Sequence, residues 1–263
     1  MNYCKIEAHR GVGTDAPENT LAAFLLAKEQ GYDVIELDTK FTADNRCVIL
    51  HDRTLNRTAR NADGSPLTEE VRIADITLEE ARGYDVGLSF DETSRGERIP
   101  TLEEALAFSL ENGIPLTFDN VLMTHTEEQQ QIFFDTVERM GAADNIGFTS
   151  YDVDFIKKIL ARFPDTMIHF VCQGDLAALC AVAAIVPRER LYAWVRYDND
   201  RSTWCHAQAA TDEFCAEVRK SARLALWLLD KDDEYLEAQN RYLADIIETD
   251  GRIKPERVRK SKS

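Results

Sequence analysis

The sequence predicts an α/β protein closed into a (β/α)8 barrel, the TIM-barrel architecture, on three observations. Eight short β-rich runs alternate with longer amphipathic stretches along the chain. The length of 263 residues suits a fold that occupies about 250. No GxGxxG turn is present, which removes the main support for the alternative, an open doubly wound sheet with a phosphate-binding glycine loop. Alternating strands and helices imply parallel pairing, and eight such units imply closure.

The elements follow in order. The alternation Tyr3-Cys4-Lys5-Ile6-Glu7 predicts a first strand at 3–8. A helix near 19–31 then places Leu21, Phe24, Leu25 and Ala27 on one side. The second strand is expected at 33–41, running on toward His51. The stretch 53–99 breaks the rhythm: it is polar, carries Gly64-Ser65-Pro66 and holds one short helical piece at 77–81. It reads as an insertion after the second strand that covers the barrel mouth, within a single domain spanning 1–263. A helix opening at Thr101, with Leu102, Ala105, Leu106 and Phe108 on one face, leads to a third strand at 115–119. The last five strands are expected at 145–149, 167–171, 191–195, 224–228 and 244–248, with helices near 125–141, 152–163, 174–185, 207–220 and 231–241. The basic tail 254–263 reads as frayed surface.

Composition narrows the function classes. Hydrophobic residues make up 44% of the chain, enough for a core and against disorder. The net charge of −16 argues against nucleic acid as a partner and against polybasic attachment to anionic membrane. No apolar stretch approaches the roughly 20 residues of a membrane span, and the N-terminus lacks a charged-then-apolar signal segment. The six cysteines form no CxxC pair, and Cys4, Cys47 and Cys172 fall inside strands, which suits buried thiols in a reduced, cytoplasmic protein. His125, His169 and His206 stand outside any ligand spacing; His125 reads as surface and His169 as a satisfied core histidine.

Chemistry concentrates at the ends of the first two strands. His9 follows the first alternating run in Ala8-His9-Arg10-Gly11. Glu36 and Asp38 lie two apart in Val34-Ile35-Glu36-Leu37-Asp38, so a strand turns both to one face. Adjacent carboxylates repel unless a positive charge sits between them, and a divalent cation does this best. His51, at the end of Cys47-Val48-Ile49-Leu50, supplies a second imidazole, so one ring can donate a proton and the other accept one. On this strand count His9, Glu36, Asp38, Asp119, Arg196, Trp227 and Asp250 all lie at C-terminal strand ends, where a barrel gathers its site. Asn19 suits either the N-cap of the first helix or a site contact, and Trp227 either a pocket wall or barrel filling.

Several motifs in this order closely resemble the glycerophosphodiester phosphodiesterases. They are Ala8-His9-Arg10-Gly11, Pro17-Glu18-Asn19-Thr20, Ala23-Phe24, Ile35-Glu36-Leu37-Asp38 and the HDRTLNRT run from His51 to Thr58. Ile99-Pro100-Thr101-Leu102-Glu103-Glu104, Asp119 and Thr249-Asp250-Gly251 extend the resemblance across the barrel. It implies metal-dependent hydrolysis of a small glycerophosphodiester, such as glycerophosphocholine or glycerophosphoethanolamine, to glycerol 3-phosphate and an alcohol. It also implies proton transfers by His9 and His51, phosphate contact by Arg10, and a cation held by Glu36, Asp38 and a third-strand carboxylate, Asp119. Oxygen ligands suit Mg²⁺, Ca²⁺ and Mn²⁺ alike.

One element departs from the pattern. The family writes its third strand IEIK, whereas this chain has Phe118-Asp119-Asn120-Val121. The glutamate becomes Asp119, as in the related sphingomyelinases D, and the lysine becomes Val121. Arg196 is the candidate replacement cation, against the competing expectation that it pairs with Asp198 or Asp200. The alternative consequence is a divergent barrel that binds a phosphorylated ligand without turning it over.

Overall fold

The structure, a computed structural model, describes residues 3–202 and 205–259. Eight parallel strands close into a barrel in the order β1-β10-β9-β8-β7-β6-β5-β2. In chain order they are β1 (Lys5–His9), β2 (Val34–Leu37), β5 (Leu116–Phe118), β6 (Ile146–Ser150), β7 (Met167–Val171), β8 (Leu191–Arg196), β9 (Arg223–Trp227) and β10 (Ile246–Thr249). Each falls on an expected run, and helices occupy the intervals between them. The first helix, α1 (Leu21–Glu29), and the helix before β5, α3 (Leu102–Asn112), start at capping threonines Thr20 and Thr101.

The second strand differs from its expectation. It leaves the barrel after Leu37, and the chain forms a separate antiparallel ribbon of β3 (Thr39–Phe41) and β4 (Cys47–Ile49). Asn45, with φ +54°, and the Thr42 hydroxyl, which accepts the Arg46 amide at 3.0 Å, turn the chain between them. The ribbon returns the backbone to its start: the Leu50 amide donates to the Asp38 carbonyl at 3.0 Å. That pairing sets His51 beside the barrel mouth.

Strand alternation divides the molecule into two packed layers. Ile6, Ala8, Ile35, Leu37, Leu116 and Phe148 face outward into the main core with helix residues such as Phe24, Leu106 and Phe133. Inside the barrel, Val34, Tyr192, Trp194, Ala225 and Ile246 form a separate small cluster. The residues between the outward positions of β1, Glu7 and His9, face the cavity instead.

The segment 53–99 carries its own core, in which Leu55, Ala59, Ile73, Ala81 and Val86 pack with Val48, Leu50 and Ile99. No residue of 53–99 lines the barrel cavity. The segment reaches the edge of the site through Arg57 instead. The tail differs from its expectation, because Pro255–Arg259 is helical and docked. Lys254 pairs with Asp15, Arg257 with Asp232 and Arg259 with Asp33, and the Arg259 guanidinium lies 4.3 Å from the Tyr3 ring centroid. Residues 260–263 of the expected frayed tail lie outside the described residues. His125 is not a surface residue either; it is half-buried, edge-on to Phe41 with centroids 4.9 Å apart.

Candidate active site

A cavity of about 750 Å³ opens at the C-terminal ends of the barrel strands. His9, Arg10, Glu36, Asp38, His51 and Asp119 all line it. The sequence therefore placed six of its seven site residues around one space.

The loop after β1 explains how AHRG and PENT cooperate. Gly11 has φ +82°, and a Cβ there would lie 2.7 Å from the Ala23 Cβ of α1. Only glycine permits that turn and that approach. Arg10 also takes a positive φ, +55°, which aims its amide at Glu36 Oε2, 3.1 Å away. Its guanidinium reaches Glu18 Oε1 at 3.1 Å and lies 3.2 Å from Asp38 Oδ2. The Asn19 side-chain amide donates to Asp38 Oδ2 at 3.0 Å, while Thr20 caps α1.

Each histidine has one ring nitrogen committed to a carboxylate. His9 Nδ1 lies 2.6 Å from Asp250 Oδ1, and His51 Nδ1 lies 2.6 Å from Asp52 Oδ1. A proton on Nδ1 makes each bond and leaves Nε2 to exchange protons with a substrate. His9 Nε2 is 3.9 Å from Glu36 Oε2. Burial disfavours the charged ring of His9, but Glu248 and Asp250 outweigh it and raise its pKa. Burial also opposes ionisation of Asp52, yet hydrogen bonds from Arg57 and His51 lower its pKa to about 2. Arg57 grips Asp52 and Glu18, both at 2.7 Å, and Glu18 in turn holds Arg10. One chain of ion pairs thus ties the two histidine sides together.

The wall formed by β10, β1, β2 and the end of β5 is acidic. Glu36 and Asp119 are raised, first by burial and then by Asp38 and other carboxylates around them. Asp119 follows β5 and heads the short turn Asn120–Thr124, which carries Val121 away as part of a 3-10 helix. Sequence reasoning missed two carboxylates on this wall, Glu7 and Glu248. Burial raises Glu248 to about 7. Donor atoms of His9, Glu36 and Glu248 lie within 4.8 Å of one another, whereas Asp38 and Asp119 line the cavity outside that trio. The missed signal was spacing: Glu7 stands two before His9 and Glu248 two before Asp250, on the same strand face. The opposite wall is aromatic. Trp194 and Trp227 line it, and the Trp194 indole donates to His169 Nδ1 at 3.0 Å. That bond satisfies His169 as a core histidine.

Arg196 needs correction. It does not line the cavity; Nη1 donates to Asp198 Oδ1 at 2.9 Å and Ser202 Oγ at 3.0 Å, and Nε to the Ala207 carbonyl at 3.1 Å. Three neighbours in the loop after β8 absorb its fork of donors. Arg201, on that loop, and Arg252 line the cavity in its place, and Arg201 pairs with Asp250.

Glu36, Asp38 and Asp119 offer only carboxylate oxygens, the chemistry that suits a hard divalent cation, while the donor atoms within 4.8 Å of one another are those of His9, Glu36 and Glu248. No helix among the described residues is long and apolar enough to cross a membrane.

Comparison with known proteins places this geometry in context. A glycerophosphodiester phosphodiesterase of Caldanaerobacter subterraneus subsp. tengcongensis is 47% identical over 97 residues, which is 37% of each chain. Glycerophosphodiester phosphodiesterase 1 of Mus musculus is 40% identical over 114 residues, 43% of this chain and 32% of that one. These matches thus span well under half the length of either relative. Among solved structures, an Oleispira antarctica phosphodiesterase in complex with the product sn-glycerol-3-phosphate superposes with a TM-score of 0.77 at 20% identity, covering 98% of this chain and 96% of that one. A glycerophosphoryl diester phosphodiesterase from Parabacteroides distasonis gives 0.71 at 22% identity, covering 95% and 83%. Those two likenesses bear on the fold. The glycerophosphoryl diester phosphodiesterase family model itself matches residues 9–251, and the chain belongs to that family.

Proposed function

We propose that this protein hydrolyses small glycerophosphodiesters to glycerol 3-phosphate and an alcohol, with a divalent cation and with His9 and His51 as the proton carriers. The observation that carries this reading is the pair of carboxylate-clamped imidazoles, His9–Asp250 and His51–Asp52, facing one cavity that also holds Glu36, Asp38 and Asp119. The glycerophosphodiester phosphodiesterase activity for which the relatives are named and the product bound by the Oleispira antarctica neighbour support it.

Glu36, Asp38 and Asp119 are the residues that would hold the cation. Bound there, Mg²⁺, Ca²⁺ or Mn²⁺ would neutralise charge growing on the phosphoryl oxygens. The chain's own groups do the rest. Arg10, fixed by Glu18 and Asp38, offers positive charge at the mouth, and Arg201 and Arg252 add to it. One histidine takes a proton at Nε2 from the attacking hydroxyl, either water or the neighbouring glycerol oxygen; the glycerol route forms a cyclic phosphate, which water then opens to glycerol 3-phosphate with the two histidines in exchanged roles. The other gives its Nε2 proton to the departing alkoxide. Such transfers contribute about 10²–10⁴-fold each. Asp250 and Asp52 keep the rings oriented and stabilise their charged forms. The six free cysteines support a reducing, cytoplasmic setting.

Val121 favours a second reading, a barrel that binds a phosphorylated ligand without turnover, because valine offers no charge to a phosphate. Turnover of glycerophosphocholine and glycerophosphoethanolamine, followed as glycerol 3-phosphate release with Mg²⁺, Ca²⁺, Mn²⁺ or chelator, separates the two. Metal-dependent release supports the enzyme. Silence with every metal, from a folded protein that still binds glycerol 3-phosphate, supports the binding barrel.

A further inference from the structure

Two carboxylates in the barrel have no part in the reaction outlined above. Glu7 and Glu248 are register partners across β1 and β10, and both line the cavity. Glu7 is 0% exposed, and among the described residues neither of its carboxylate oxygens has a hydrogen-bond partner. The Thr117 hydroxyl lies close to it, and the cation whose charge reaches it is Lys5, on the exposed end of β1. Leaving a carboxylate in this condition is among the costliest arrangements a protein interior can hold. Glu248 is its register partner, and Glu248 belongs with His9 and Glu36 to the cluster whose donor atoms lie within 4.8 Å of one another.

Charge counting sharpens the point. Glu7, Glu36, Asp38, Asp119 and Glu248 place five carboxylates around one cavity. Arg10 answers Asp38, and Arg201 answers Asp250 on the opposite side of His9. A single dication among Glu36, Asp38 and Asp119 leaves Glu248 to the charges of His9 and Arg10 and Glu7 to that of Lys5, both facing a substrate that is itself an anion. Opposite charge placed between the carboxylates removes both problems.

We propose that Glu7, Glu36 and Glu248 hold a second divalent cation, deeper in the barrel than the first, with the Glu36 carboxylate shared between the two positions. The donors are all oxygen, so the ion is hard: Mg²⁺, Mn²⁺ or Ca²⁺. His9 stays outside this ligand set, because Asp250 holds its Nδ1 and its Nε2 is the proton carrier. The assignment rests on Glu36 as a ligand of the first cation. It makes the site a two-cation clamp built partly from residues of the barrel interior.

Mn²⁺ is the probe. The chelated full-length protein is titrated at pH 7.5, bound Mn²⁺ is counted by equilibrium dialysis, and the loaded protein is examined by electron paramagnetic resonance. The expected result is two Mn²⁺ per chain with an exchange-coupled signal, because a shared carboxylate holds the ions close. Glu7→Gln with Glu248→Gln keeps the volume and should leave one Mn²⁺ with an uncoupled six-line spectrum. If that double variant melts early, the single Glu7→Gln variant provides the same comparison. One Mn²⁺ in the native chain, or two retained in the variant, overturns the second position. One Mn²⁺ together with Mn²⁺-dependent turnover overturns it while leaving the proposed function intact; no bound Mn²⁺ overturns both.

Discussion

Asp250 shows how much of this site depends on a single oxygen. It lies 2.6 Å from His9 Nδ1, and its other oxygen is held by Arg201, so it fixes the ring that faces Glu36. Asp250→Asn removes the charge and lets the ring take the wrong tautomer. The expected outcome is a fall in kcat of about 10²–10⁴ with KM changed far less, measured by steady-state turnover. Arg196→Ala should do the opposite of what the sequence suggested. Its donors serve Asp198, Ser202 and Ala207, so kcat should stay within about threefold, because the residue makes no transition-state contact. Most of the candidate residues were legible because strand alternation and motif spacing determine which side chains share a face. Arg196 was misread because its direction is set by a loop that its own donors order, and no periodicity describes that loop.

At the scale of elements, the β1–α1 connection is the tightest part of the site. Gly11 combines φ +82° with a close approach to Ala23, and its neighbours Arg10 and Asn19 also have positive φ. Gly11→Ala should cost about 1–3 kcal/mol, read as a lower denaturation midpoint, and turnover should fall with it because Arg10 and His9 flank the strained turn. The ribbon of β3 and β4 was not legible. Its apolar run 47–50 reads as a continuing strand, and the antiparallel pairing of β4 with β3, closed by Leu50 on Asp38, shows that the chain has doubled back. The segment 53–99 reads as an insertion from its polarity, and its buried cluster around Leu55 and Ile73 determines where it sits. That placement depends on tertiary packing, which composition does not specify.

Across the whole molecule, the barrel interior has an acidic wall and an aromatic one, and the two respond differently to pH. His169 is buried against Trp194, and burial lowers its pKa to about 3 from an ordinary 6.5. Below pH 6.5 the unfolded chain therefore takes a proton that the folded one refuses. The stability this group provides is complete above pH 6.5 and is lost as the pH falls toward 3. His169→Gln keeps an acceptor for the indole and removes the titration. Between pH 6 and 4 the native protein should lose unfolding free energy faster than the variant, by about 1 kcal/mol per pH unit, measured by urea denaturation. On the acidic wall, a bound divalent cation should raise the melting temperature, since a ligand at 100 times its Kd stabilises by about 2.7 kcal/mol. A chelator should reverse the shift. The eight-strand barrel was legible because each strand repeats the same local signal. The concentration of charge inside it became visible only once register placed Glu7 beside Glu248.

The proposed hydrolysis depends on two clamped histidines and a divalent cation acting together. Its most direct measurement is glycerol 3-phosphate release from glycerophosphoethanolamine with Mg²⁺, by the native protein and by His9→Ala. The expected result is release that chelator abolishes and that His9→Ala reduces by at least about 10²-fold. Release that survives chelation, or a folded His9→Ala protein with native turnover, would contradict it.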